Sequence, residues 1–378
     1  MMTRLLLKNA RVVLPDREVA VGVLIEDGRI SAIGDSLDAA EEIDLAGTTL
    51  LPGFIDVHIH GAAGVDVMDA TAAGLGIVSE YLASQGVTSW VPTFVPASDE
   101  HYANAIAVIS EAMNGPGARV LGVHYEGPFV NTAQCGALHT EYFKTYSEPS
   151  DLDSLPLPSS GVRMITMAPE VAGGVELVRE LKKRGWVISI GHTRAGLDVL
   201  DHACDAGAHH MTHFMNAMAP LHHRSPGPIA WGLSRDDVTV DVIADGIHLD
   251  PFMLRLLLKL KGAQGISLIS DAIAAAGKGD GDYDIWGETI SVKNGRTANA
   301  HGSIAGSVIS MLDAVRLLHA LGVSYVDLAR MASLNPARLL GVDRECGSIE
   351  VGKRADLVAL DQSDLRPRSV LISGRFFS

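Results

Sequence analysis

Between residues 54 and 271 short apolar runs alternate with longer amphipathic stretches, and this alternation limits the fold more than any other feature. Eight runs read as strands: 54–60, 87–93, 119–126, 162–168, 186–192, 208–213, 238–244 and 266–271. Helical periodicity fills most of the gaps, at 71–84, 98–113, 173–184, 196–206, 251–261 and 307–320. Eight such repeats over roughly 250 residues predict an α/β fold, a (β/α)8 TIM barrel. A doubly wound open sheet is the competing architecture, but it usually has fewer strands and a Gly-rich first turn, which is missing here. Residues 1–50 have another texture, with short strand-like runs separated by Pro15-Asp16, Asp27-Gly28 and Gly34-Asp35, a spacing of turn signals that predicts a small antiparallel sheet. That texture returns in GSIEVGKRADLVALD and SVLISGRFF near the end. The expectation is therefore a small β-sandwich from residues 1–50 and 346–378 flanking a barrel of residues 51–345. The Gly/Asp-rich stretch 277–296 reads as a hairpin inserted after the eighth strand.

The strand ends carry the chemistry, because barrels build their sites at the C-terminal ends of their strands. The first strand ends FIDVHIH, and alternation puts Asp56, His58 and His60 on one face. Two histidines two apart lie roughly 6–7 Å apart along a strand, close enough to converge on one ion. The third strand ends VHYEGPF with Glu126, the fifth ISIGHT with His192, the sixth HHMTHF with His213, and the eighth LISDA with Asp271. Together these six residues are a ligand set for one or two divalent ions. Zinc is expected first, and iron, manganese and cobalt also suit such donors. Mixed N/O ligation with an open position activates water and polarises a carbonyl, which is the chemistry of metal-assisted hydrolysis. Asp271, with no partner histidine in its own segment, is the candidate proton shuttle.

Charge and thiol usage exclude other classes. Lys and Arg total 30 against 45 Asp and Glu, a formal charge of −15. Such a surface repels nucleic acid and anionic membrane, though a local cation can still hold a small phosphorylated substrate. No apolar run approaches the roughly 20 residues that span a bilayer, and the apolar stretch in MMTRLLLKNARVV is too short for a signal peptide. Cys135, Cys204 and Cys346 are few, odd in number and widely spaced, which fits a reducing cytoplasmic setting.

PGFIDVHIHG, the histidines at the fifth and sixth strand ends, Asp271, and NPARLLG followed by GSIEVGKRADLVALD resemble the amidohydrolase superfamily. Within it, HYEGPFVN, GHTRA, MTHFMNAM, DGIHLDP, SDAIAAAG and GSIAGSVISM resemble the N-acetylglucosamine-6-phosphate deacetylase family, in the same order from about residue 5 to residue 361. The resemblance implies a TIM barrel flanked by a β-sandwich and removal of acetate from a 6-phosphorylated amino sugar. It implies Glu126, His192 and His213 as metal ligands and Asp271 as the catalytic aspartate. It places Asn216 and Ala217 where the sugar and phosphate are held, and Ile304, Ala305 and Gly306 in a loop that lines the sugar. His248 would contact the phosphate, and so would Arg224, from the neighbouring subunit of a homodimer. An arginine fork with an imidazole suits a phosphate dianion. Two features depart from the family pattern or vary within it. In the loop Cys135-Gly136-Ala137-Leu138-His139 the usual histidine position holds Leu138. Ala137 and His139 are the substrate-binding candidates of this loop: either His139 substitutes after a one-residue adjustment, or that sugar contact is lost and Cys135 lines a mobile loop instead. The pair His58 and His60, absent from some members, leaves a two-metal form open. The rivals are deacetylation of N-acetylgalactosamine 6-phosphate or another N-acyl substrate, and a non-catalytic amidohydrolase-like scaffold.

Overall fold

A computed structural model describes residues 4–377. The expected segments 1–50 and 346–378 therefore begin and end in residues outside the described ones. Eight parallel strands form the barrel: β1 (Phe54–Ile59), β2 (Val87–Phe94), β3 (Gly122–Glu126), β4 (Val162–Met167), β5 (Val187–Ile190), β6 (His210–Met211), β7 (Thr239–Ile243) and β8 (Ile266–Ile269). Each neighbouring pair from β1 to β8 is parallel. The seam between β8 and β1 is closed by side chains and loop backbone. Ser270 Oγ donates to Asp56 Oδ2 at 2.5 Å, and the Asp271 N–H donates to His58 O at 2.9 Å. Burial lifts the Asp56 carboxyl to about 6 even though Ser270 donates to it.

Outside the strands lie α1 (Ala72–Ser84), α2 (Asp99–Ala112), α3 (Gly174–Lys183), α4 (Leu197–Ala206), α5 (Gly227–Ser234), α6 (Pro251–Lys261) and α7 (Met311–Ala320). Their starts follow local chemistry. Thr71, Ser98 and Asp250 accept backbone N–H groups at the starts of α1, α2 and α6, and Ser310 with Asp313 makes a reciprocal cap on α7. The apolar faces of α1 (Leu75, Val78, Leu82) and α3 (Leu177, Val178, Leu181) pack into one large core around the barrel. No helix among the described residues is long and apolar enough to cross a membrane.

The chain ends combine. A six-stranded sheet runs in the order Arg375–Phe377, Pro367–Ile372, Leu357–Asp361, Thr48–Pro52, Arg11–Val13, Glu18–Ala20. A four-stranded sheet runs Arg29–Gly34, Gly22–Glu26, Arg4–Lys8, Glu41–Asp44. Leu7, Val23, Leu50 and Leu357 share the core of this small β-domain. The sheets are mixed, with parallel pairs inside them, where the turn signals alone suggest an antiparallel arrangement. The strand Thr48–Pro52 crosses the boundary expected at residue 50. The inserted hairpin is a three-stranded meander, Gly281–Ile285, Glu288–Lys293 and Arg296–Ala298, which packs Ile285, Ile290 and Val292 on the loop after β8.

Candidate metal centre and active site

Six polar side chains from five strand ends converge at the C-terminal mouth of the barrel, and all six are buried. Strands β5, β6 and β8 stop two residues before His192, His213 and Asp271. Each of the three then takes a left-handed backbone, with φ of 48°, 30° and 50°. Such conformations are costly for non-glycine residues, of order 1–3 kcal/mol each, and persist where surrounding structure holds them. Here they turn the side chains back over the barrel mouth.

The donors form two triangles. His192 Nε2 and His213 Nε2 are 3.2 Å apart and each lies 2.9 Å from Glu126 Oε1. His58 Nε2 and His60 Nε2 are also 3.2 Å apart, at 3.5 and 3.2 Å from Asp271 Oδ1. Glu126 joins the sets, with Oε2 3.4 Å from His60 Nε2 and Oε1 3.6 Å from His58 Nε2. A tetrahedral ion with bonds of about 2.0–2.1 Å needs donors about 3.3–3.4 Å apart, close to both triangles. Each triangle has three N/O donors and leaves a position open.

Tautomers agree with that use. His192 Nδ1 lies 2.7 Å from Gln134 O and His60 Nδ1 lies 3.1 Å from Thr93 O. A carbonyl only accepts, so both Nδ1 atoms donate and both Nε2 lone pairs face the centre. Nδ1 of His58 and of His213 has no hydrogen-bond partner among the described residues.

Protons compete with a cation for two of these imidazoles, His60 and His213. Burial disfavours a charged His60, but bonds from Asp271 and Glu126 outweigh it and raise this imidazole to about 10. Burial likewise opposes charge on His213, and Glu126 overcomes it and raises the ring to about 9. Burial pushes the Glu126 and Asp271 carboxyls upward. The facing imidazoles outweigh it, leaving Glu126 well below and Asp271 below the usual range. A metal ligand must be a neutral imidazole. At pH 7.5, below both raised values, metal uptake is therefore expected to release a proton from each of His60 and His213. Affinity should rise with pH up to about 9–10. Calorimetric titration of metal-free protein in buffers of different ionisation enthalpy measures this; uptake with no proton release would refute it.

A cavity of 390 Å³ opens from these donors, within the size range of small-molecule sites. Asn216, Ala217, His248, Ile304 and Gly306 line it, as does Ala137. His248 Nδ1 bonds Asp245 Oδ2 at 2.7 Å, so its other nitrogen is left for a ligand. Ala305 is buried behind this wall and donates its N–H to Thr297 Oγ1 at 3.2 Å. His139 does not reach the cavity. Leu138 and Cys135 stand on the wall, while the His139 ring meets Glu141 at 3.3 Å. Arg224 is exposed in the loop before α5, its Nη1 2.7 Å from His223 Nε2, and it does not line its own chain's cavity.

Two contributors escape sequence reasoning. Asp241, inside β7, accepts the His213 N–H on Oδ1 and pairs with His210 Nε2 at 3.1 Å on Oδ2, fixing the turn that carries His213. The signal was an acid in the middle of the apolar run TVDVI. Trp286, at the turn of the inserted meander, lines the cavity and meets the His60 ring edge-on at 5.2 Å. Nothing local in the sequence predicts that reach.

Known proteins bear on this geometry. The amidohydrolase family profile matches residues 49–376. The N-acetylglucosamine-6-phosphate deacetylase of Bacillus subtilis (strain 168) is 37% identical over 370 residues, covering 94% of this chain and 92% of that protein. The N-acetylgalactosamine-6-phosphate deacetylase of Escherichia coli O157:H7 is 38% identical over 358 residues, covering 94% of each. A mutant N-acetyl-D-glucosamine-6-phosphate deacetylase of Mycobacterium smegmatis, solved in complex with N-acetyl-D-glucosamine-6-phosphate, superimposes with a TM-score of 0.90 at 31% identity over 100% of this chain and 99% of that one. These likenesses run from one end of the fold to the other, and the chain belongs to the amidohydrolase family, in its N-acetylglucosamine-6-phosphate deacetylase branch.

Proposed function

We propose that the chain hydrolyses the acetamide of N-acetyl-D-glucosamine 6-phosphate, giving D-glucosamine 6-phosphate and acetate. The observation that carries this reading is the position of Asp271, an ionised carboxylate on the cavity wall beside the buried donors. Glu126, His192 and His213 would hold a divalent ion, zinc first, that supplies Lewis-acid polarisation of the carbonyl and acidifies a water. Asp271 takes the proton of the attacking water on a carboxylate oxygen. It then returns that proton to the departing nitrogen, so a single group serves as base and then acid. Asn216, Ala217, Ile304 and Gly306 orient the sugar, and Trp286 excludes bulk water beside His60. His248, already donating from Nδ1 to Asp245, would donate to the phosphate from its other nitrogen as an imidazolium held between the two anions. Acetate release from N-acetylglucosamine 6-phosphate, N-acetylgalactosamine 6-phosphate and unphosphorylated N-acetylglucosamine tests the assignment. No release from either phosphosugar by metal-loaded protein would refute it. The galactosamine epimer is the second reading because of the 38%-identical Escherichia coli relative.

His58 and His60, with Asp271 or Glu126, would hold a second ion. The double variant His58→Asn/His60→Asn is expected to lower the metal content toward one ion per chain, measured by elemental analysis after identical loading. Equal content in variant and parent would remove the pair as ligands. A parent with no stoichiometric metal would favour the scaffold reading. We further place the protein in the cytoplasm, a setting supported by its three unpaired cysteines. We infer a homodimer in which Arg224 reaches the partner's cavity, since its own cavity lacks it. We divide the chain into a β-domain, 1–50 with 346–378, and a catalytic barrel, 51–345.

A further inference from the structure

We propose that Cys204, His209 and Asp237 form a binding site for a thiophilic divalent cation of the zinc class, at the opposite end of the barrel from the candidate active site. Cys204 lies in the last turn of α4, His209 immediately precedes β6, and Asp237 precedes β7. All three therefore sit at the N-terminal ends of the strands. Their ligand atoms make a third triangle. Cys204 Sγ is 3.4 Å from His209 Nδ1 and 3.7 Å from Asp237 Oδ2, and these last two are 3.9 Å apart. Bonds of about 2.3 Å to sulfur and 2.0–2.2 Å to nitrogen and oxygen put tetrahedral donors about 3.3–3.6 Å apart. The triangle is within a few tenths of an ångström of that size. The side chains of His209 and Asp237 are about half exposed, at 51% and 52%, so they can close on an ion while buried Cys204 stays fixed.

The surroundings prepare the carboxylate and favour positive charge. Arg235 grips Asp237 with a two-bond fork, Nε to Oδ1 and Nη2 to Oδ2, both 2.8 Å. Asp201 at 3.1 Å and the Trp231 ring at 5.5 Å hold Arg235 in turn. Burial and the neighbouring Asp237 keep Cys204 a thiol before an ion arrives, while Arg235 Nη2, donating to its Sγ at 3.4 Å, works in the other direction. An arriving cation displaces that contact and the bond from the Cys204 thiol to Asp237 Oδ2, while the fork to Asp237 and the bond to Asp201 can remain. Thiolate, carboxylate and guanidinium together carry one net negative charge, and the C-terminal end of α4 adds its partial negative charge. His209 and Asp237 also line a cavity of 360 Å³, which leaves solvent able to fill the fourth position. On binding, the Cys204 thiol proton goes to solvent and a sulfur–cation bond forms, with no change in oxidation state. Sulfur among the donors selects zinc-like ions over magnesium and calcium.

The two donor triangles of the candidate active site hold only nitrogen and oxygen, and Cys135→Ser accounts for the one cysteine on its cavity wall, so a thiolate signature separates the two places. The full chain, stripped of metal and titrated with Co(II), should show an ultraviolet thiolate-to-cobalt charge-transfer band. The band should persist in Cys135→Ser and vanish in Cys204→Ser, while Cys204→Ser keeps the cobalt bound by nitrogen and oxygen. Asp237→Asn, at a half-exposed position, covers the case of a misfolded Cys204→Ser and should weaken the cobalt affinity read from the band by at least about tenfold. No band in the parent would mean a hydrogen-bonded polar cluster only. A band that survives Cys204→Ser, disappears in Cys135→Ser or titrates unchanged in Asp237→Asn would also overturn the site.

Discussion

Replacing Asp271 by asparagine is expected to lower kcat by about 10²–10⁴-fold, the span of a general acid–base contribution, with KM little changed. The amide keeps the size of the side chain and loses the ability to take a proton. In the parent the carboxyl is held below the usual range, because His60 and His58 favour its ionised form more than burial opposes it. It is thus ready as a base at neutral pH, and activity should fall as pH drops through its lowered pKa. That acidic limb should be missing from the residual activity of Asp271→Asn. Metal content separates proton transfer from ligation. Asp271 Oδ1 is 3.2 Å from His60 Nε2, so the variant can lose an ion at His58 and His60 while Glu126, His192 and His213 keep theirs. If turnover stays near the parent value with that ion in place, another group moves the proton.

What the sequence made legible follows from how barrels are built. Each strand of a parallel barrel is buried on both faces, so a polar residue at its C-terminal end stands out against an apolar run. His58, Glu126, His192, His213 and Asp271 could be found in this way, and the structure brings them together with His60. Periodicity does not reveal where a strand yields to a left-handed turn. The fifth, sixth and eighth strands accordingly looked two residues too long at His192, His213 and Asp271. Contacts between distant segments were hidden for a related reason. Trp286 reaches His60 because the whole meander folds over the mouth, and Asp241 acts through the backbone of His213 on the neighbouring strand. Leu138 and His139 show the limit of motif matching. One residue of offset in a short 3₁₀-rich loop decides which side chain faces the cavity, and here it is the leucine.

Arg224→Ala is expected to lower kcat/KM for the phosphorylated sugar by roughly 10- to 150-fold, the equivalent of about 1.5–3 kcal/mol for hydrogen bonds to a charged group. A chain of net charge −15 repels a dianion at long range, so recognition depends on a local cationic pocket. A guanidinium can place two parallel hydrogen bonds on phosphate oxygens, and His248 adds a donor from the cavity wall. The loss should be confined to the phosphosugar, with the low activity on unphosphorylated N-acetylglucosamine hardly altered. Equal losses on both substrates would remove Arg224 from phosphate recognition. Arg224 is exposed and does not line its own chain's cavity, and in the proposed homodimer it acts from a partner subunit. Mixing Arg224→Ala subunits with Asp271→Asn subunits should then recover activity. One of the two sites in a mixed dimer combines an intact Asp271 with the guanidinium of the other chain. Absence of recovery, once subunit exchange is verified, would place the phosphate contact within a single chain and leave His248 as its main donor.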